Sequence, residues 1–63
     1  MVVISKTNYS IYDKNGQEVK ILIKGNTYKA RKSFHNGYIV FDEIGQEDYF
    51  INDRFKKMFT NAE

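Results

Sequence analysis

The side chains best suited to chemistry in this sequence are four clustered carboxylates, one imidazole and a set of cations with aromatic neighbours. Asp42, Glu43, Glu47 and Asp48 flank Ile44-Gly45. A hairpin turning there would bring carboxylates together, as a hard cation or a glycosidase-type acid/base pair requires. A two-carboxylate enzyme also needs a cleft, which a chain of 63 residues has little volume to build. A solvated acidic hairpin tip is therefore the preferred reading. His35, the sole histidine, adjoins Asn36-Gly37. A catalytic imidazole needs an orienting carboxylate and a nucleophile, and a metal site usually needs three or more ligands. Neither set assembles around His35, which reads as an exposed turn residue. Asp13-Lys14-Asn15-Gly16-Gln17-Glu18 echoes the opening of a calcium loop, but the twelve-residue ligand pattern with its closing Glu is missing. No two glycines lie within seven residues of each other, so there is no phosphate-cradling loop. The sequence is thus read as non-enzymatic, with no catalytic residue, cofactor or metal.

The cations are more informative. Lys20, Lys24, Lys29, Arg31, Lys32, Arg54, Lys56 and Lys57 lie among aromatics that include Tyr28, Phe34 and Tyr38. Single-strand nucleic-acid binders combine basic grooves with exposed rings, because phosphates need charge and every base offers a π face. The competing and preferred reading is that the rings are core and the lysines keep it soluble. Charge is also unevenly distributed: residues 1–40 carry +5, residues 41–53 carry −5 and residues 54–63 carry +2. The acidic block would repel phosphate wherever it approaches. Opposite blocks either steer a complementary partner or face each other across paired strands, and the second is preferred.

The elements that must hold these residues follow from the turn signals. Glycines fall at positions 16, 25, 37 and 45, a spacing typical of turns between short strands. Asn15-Gly16 and Asn36-Gly37 each predict a tight type I′ hairpin, since both centres of that turn need positive φ. Ile44-Gly45 marks a third turn. Between the turns, β-branched and aromatic residues predict strands over Val2 to Ser5, Tyr9 to Tyr12, Val19 to Ile23, Thr27 to Phe34, Tyr38 to Glu43 and Asp48 to Ile51. Tyr28-Lys29-Ala30-Arg31 alternates as a half-buried strand does. Tyr38-Ile39-Val40-Phe41 is apolar on both sides, which predicts either a strand covered twice or one core face backed by an exposed patch. Asn52 is placed as an N-cap, and Phe55, Met58 and Phe59 at i, i+3 and i+4 predict a single helical or 3₁₀ turn from near Asp53. A last short strand is expected around Lys57 to Phe59. Residues 1–60 form the one domain, with 61–63 as a frayed tail.

This order is that of an all-β, SH3-like five-stranded small barrel, with residues 8–22 as a long loop or hairpin after the first strand. The residues Gly25, Tyr28, Gly37, Tyr38, Val40, Asp42, Gly45, Tyr49 and Phe55 also resemble the turn-and-strand pattern of small SH3-like proteins of Gram-positive bacteria and their phages. The match covers residues 23–59. It implies a phage or mobile-element accessory protein that docks on a host or phage protein. The polyproline-binding SH3 domains of signalling proteins are a poorer match, because the chain has no Trp and Tyr12-Asp13 is a faint echo of their loop motif.

Three functions follow. The leading one is a non-catalytic protein-binding module using Tyr9, Tyr12, Lys29, Arg31, Tyr38 and Arg54 as aromatic anchors and orienting charges. The alternative is a nucleic-acid-binding barrel with Lys29, Arg31, Lys32, Lys56 and Lys57 on phosphates. The third is a homo-oligomer pairing exposed strand edges. No run approaches the about 20 apolar residues of a membrane-spanning helix, and no signal-peptide core precedes the domain, so the expected location is the cytoplasm without membrane contact.

Overall fold

Strands form where β-branched and aromatic residues are densest. The computed structural model describes all residues from Met1 to Glu63, in the order β1 (Val2–Ser5), β2 (Tyr9–Tyr12), β3 (Glu18–Leu22), β4 (Thr27–Lys32), β5 (Gly37–Phe41), β6 (Glu47–Ile51), α1 (Asn52–Met58) and β7 (Phe59–Asn61). Five strands make one antiparallel sheet in the order β6-β5-β4-β1-β7, and β2 and β3 pair as a separate two-stranded sheet. About half the chain is strand.

The expected barrel closure is not present: the sheets stay open. The three residues of β7 are taken up in pairing with β1, and the β2–β3 hairpin satisfies its own ladder, so β6 is left as a free edge. A few bonds tie the hairpin to the larger sheet instead. The Glu43 N–H donates to the Ile21 carbonyl at 2.9 Å. The Tyr28 hydroxyl accepts from the Ile23 N–H at 2.8 Å and donates to Glu43 Oε2 at 2.6 Å. That buried phenol has its pKa raised, first by desolvation and then by its bond to Glu43.

Alternation assigns the faces. Tyr28 and Ala30 of β4 and Val40 of β5 point into the core with Val3, Ile21, Leu22, Phe55 and Phe59, each side chain worth up to about 3 kcal/mol on burial. Lys29 and Arg31 project from the opposite face of β4. Strand β5 therefore has one core face and a second, half-covered face bearing Ile39 and Phe41.

The hairpins differ from the expected type I′ turns. Gly16 has φ of 79° but Asn15 is not left-handed, while Asn36 has φ of 53° and Gly37 does not. All three hairpin loops have three residues with the left-handed position last, at Gly16, Asn36 and Gly45. This is the type I turn plus bulge. In two of the three loops an Asp explains the choice: Asp13 Oδ1 accepts from the N–H groups of Asn15 and Gln17, and Asp42 Oδ1 from those of Ile44 and Gln46, whereas the loop after Ser33 has no such side-chain bonds. A side chain that satisfies two turn donors at once stabilises the wider loop.

The C-terminal segment is also shifted. The N-cap is Ile51, without a side-chain cap, and Asn52 is the first helical residue, with its Oδ1 buried and unbonded. Phe55 and Phe59 insert as their spacing requires, the Phe55 ring stacking on Tyr38 at 4.0 Å between centroids. The last strand begins at Phe59, and its pairing carries on to Asn61 opposite Val3, with the Ala62 N–H bonded to Val2.

Candidate functional site

A groove of about 450 Å³ runs along β6, lined by Tyr9, Asp48, Tyr49, Phe50, Ile51, Arg54 and Met58. Its walls come from distant parts of the chain. Tyr9 opens β2, at the base of the hairpin, and Arg54 stands on the first turn of α1. Four consecutive β6 residues supply the floor. Successive residues of a strand point to opposite faces, so all four can line one groove only if it follows the strand's edge rather than either face. Tyr9, Tyr49 and Ile51 are each about half exposed. Arg54 makes no ion pair, since the one salt bridge in the molecule joins Arg31 to Glu47.

The residues proposed for protein binding are only partly brought together. Tyr9 and Arg54 share the groove. Tyr12 lies at the far end of β2, strongly exposed. Lys29 and Arg31 stand on the outer face of β4, with the Arg31 guanidinium held by Glu47. Tyr38 is half buried against Phe55. The phosphate-binding set is divided: Lys29 and Arg31 leave the face of the sheet opposite the one α1 covers, whereas Lys56 and Lys57 ride on α1 itself. Lys32 is exposed at the end of β4.

The acidic cluster separates into three engagements. Glu43 receives the Tyr28 hydroxyl and Glu47 receives Arg31. Asp42 and Asp48 face each other within hydrogen-bonding reach, and the Oδ2 atoms of both are buried with no donor. Desolvation, reinforced by the neighbouring Asp42, pushes Asp48 up to about 6. Below that value the proton on Asp48 can be donated to Asp42 and so give both oxygens a partner. No group of three or more His, Cys, Asp or Glu side chains converges to hold a metal ion. His35 is exposed at the β4–β5 tip, and its carbonyl accepts a bond from the Tyr49 hydroxyl.

Tyr49, Phe50 and Ile51 belong to the groove but carry no sequence signal for function, while Asp48 is marked only as part of the acidic hairpin and Met58 only as a helix-packing residue. The segment reads simply as a strand, and its edge position depends on which strands pair with it. No helix is long and apolar enough to cross a membrane. No protein-family model, curated protein or solved structure matches this chain.

Proposed function

We propose that the chain is a non-catalytic protein-binding module of SH3-like design that holds a segment of a partner protein in the groove between Tyr9 and Arg54. The observation that carries this reading is the convergence of an exposed aromatic from β2 and an unpaired guanidinium from α1 over the open edge of β6. Tyr and Arg are the residue types enriched at interface centres, and a concave apolar floor with few polar groups suits a docked side chain. The resemblance of residues 23–59 to small SH3-like proteins of Gram-positive bacteria and their phages is what suggests an accessory protein that docks on a host or phage protein. The division of the lysines between two sides of the sheet disfavours a continuous track for phosphates.

The test is an amide-resolved NMR titration run in parallel with a displayed-peptide selection. Selected peptides are expected to shift Tyr9, the β6 amides, Arg54 and Met58, and the double variant Tyr9→Ala/Arg54→Ser should enrich none. A mixed-sequence single strand that shifts Lys29–Lys32 and Lys56–Lys57 at low salt, with no response to any peptide, would replace this reading with the nucleic-acid one.

A further inference from the structure

The free edge of β6 carries a row of unsatisfied backbone groups. The Asp42 N–H donates to the Gln46 carbonyl at one end of the β5–β6 ladder, and the Asn52 N–H donates to the Asn36 carbonyl at the other. The register between these ends pairs Val40 with Asp48 and Tyr38 with Phe50. In an antiparallel ladder, bonded and non-bonded pairs alternate. Asp48, Phe50 and Asn52 are therefore the β6-side residues bonded to β5, and Glu47, Tyr49 and Ile51 direct their N–H groups away from it. The Ile51 carbonyl is committed to the helix as its N-cap. Glu47 and Tyr49 keep both N–H and C=O free, and no backbone bond from any loop reaches them. The groove containing Arg54 lies along this same edge.

We propose that the partner segment enters the groove in extended form and adds to the free edge of β6 as a sixth strand, with a carboxylate side chain placed over Arg54. This rests on the docking reading above and specifies its mode and ligand class. Main-chain bonds to Glu47 and Tyr49 provide affinity for any extended chain, and alternate side chains provide selection. One set of alternate side chains lies against Tyr9, Phe50 and Met58 and must be apolar. The carboxylate requirement follows from charge: Glu47 already holds Arg31, Asp48 is turned to Asp42, and Arg54 is the one charged groove residue without a partner.

The test uses acetylated peptides of about nine residues that alternate Val or Ile with Thr or Ser, with one Glu stepped through each position and Gln counterparts as controls. Binding is followed by amide hydrogen exchange and by scanning backbone N-methylation along the best peptide. Strand addition predicts that the Glu47, Tyr49 and Ile51 amides exchange about tenfold more slowly in the complex, and that N-methylation weakens binding about tenfold at every second residue. The Glu peptide should lose its advantage over its Gln counterpart in Arg54→Gln. Binding that shifts Tyr9 and Met58 but leaves Tyr49 exchange unchanged and N-methylation silent overturns strand addition while the docking reading survives. No response from any groove residue overturns both. Protection of Tyr49 that grows with protein concentration, without peptide, assigns the edge to a second copy and also overturns the proposal.

Discussion

Replacing Asp48 with Asn should make the protein more stable at neutral pH, even though it removes a charged group from a cleft. Asp42 is buried with its Oδ1 committed to two turn N–H groups, so its Oδ2 has only Asp48 to bond with. The folded state holds the Asp48 proton up to about pH 6, against an ordinary value of 3.8. The sign follows from proton counting. Between these values the folded state binds more protons than the unfolded chain, so stability falls as pH rises from about 4 to about 6 and stays reduced above it. A difference of about two pH units corresponds to about 3 kcal/mol, which solvent screening at this partly exposed carboxyl reduces. The amide introduced by Asp48→Asn can donate to Asp42 Oδ2 at every pH, as the protonated acid does below its pKa. The variant should therefore match the wild type near pH 4 and exceed it by about 1–3 kcal/mol near pH 7.5.

Urea unfolding followed by far-ultraviolet circular dichroism, at half-unit steps of pH, measures this difference directly. Each kcal/mol should also raise Tm by about 4–8 °C in a domain of this size. A carboxyl-carbon NMR titration supplies the independent check, with a midpoint near 6 for Asp48. A variant less stable than the wild type at neutral pH would refute the reasoning, because it would mean that ionised Asp48 has a favourable partner, with Arg54 in the same groove the first suspect. A pH-independent difference would refute the proton donated from Asp48 to Asp42.

Further substitutions test the packing and the turns. Gly37→Ala places a Cβ 2.5 Å from the Tyr49 ring and 2.6 Å from the Phe50 carbonyl oxygen, so it should cost about 1–3 kcal/mol in urea unfolding. Adding Tyr49→Ala should recover only part of that loss, since the backbone oxygen remains. Tyr28→Phe strips the acceptor from the Ile23 N–H and the donor from Glu43, with an expected loss of about 1–3 kcal/mol and faster exchange at Ile23. A loss near zero would show that water replaces the phenol. Asp13→Ala removes two bonds from an exposed turn and should cost about 1 kcal/mol in the same assay.

Strand positions are legible in the sequence because β-branched and aromatic runs and turn glycines act locally. Val2–Ser5 and Tyr9–Tyr12 fall where the residue types place them, and most other boundaries move by one or two residues. The loop type departs from expectation for an equally local reason: Asn-Gly draws attention to itself, while the controlling residue is the Asp three places before the glycine. Asp13-Lys14-Asn15-Gly16-Gln17 and Asp42-Glu43-Ile44-Gly45-Gln46 share that pattern and make the same two side-chain bonds. In the β4–β5 hairpin Asn36 takes the place of the glycine, which a left-handed φ tolerates in Asn better than in most residues. The helix start is shifted because a tertiary contact prevails over propensity. Asn52 is anchored by its N–H to Asn36 across the sheet, which brings the first helical residue one place earlier than Asp53.

The groove is half legible. Tyr9 and Arg54 are marked by residue type, but their proximity depends on how the β2–β3 hairpin sits beside β6, which no local pattern encodes. Closure of the sheet escapes the sequence for a related reason: residue types predict strands, whereas closure depends on whether the last strand is long enough to bond to two neighbours. The open edge that results is one natural proteins usually blunt, because a free row of backbone groups recruits other chains. Here the blunting is partial and directional. Glu47 and Asp48 put acid at the start of β6, and Ile51 closes its end by turning the chain into α1, leaving Tyr49 as the one residue whose N–H and C=O are both open with no charge beside them on its C-terminal side. At the opposite edge β7 is three residues long and ends in polar Thr60 and Asn61. An edge limited to about two residue pairs forms few main-chain bonds, and each contributes about 0.5–1.5 kcal/mol net. Such an edge cannot drive indiscriminate self-assembly on main-chain bonds alone, and it gains useful affinity only from a segment that also fills the groove against Tyr9 and meets Arg54.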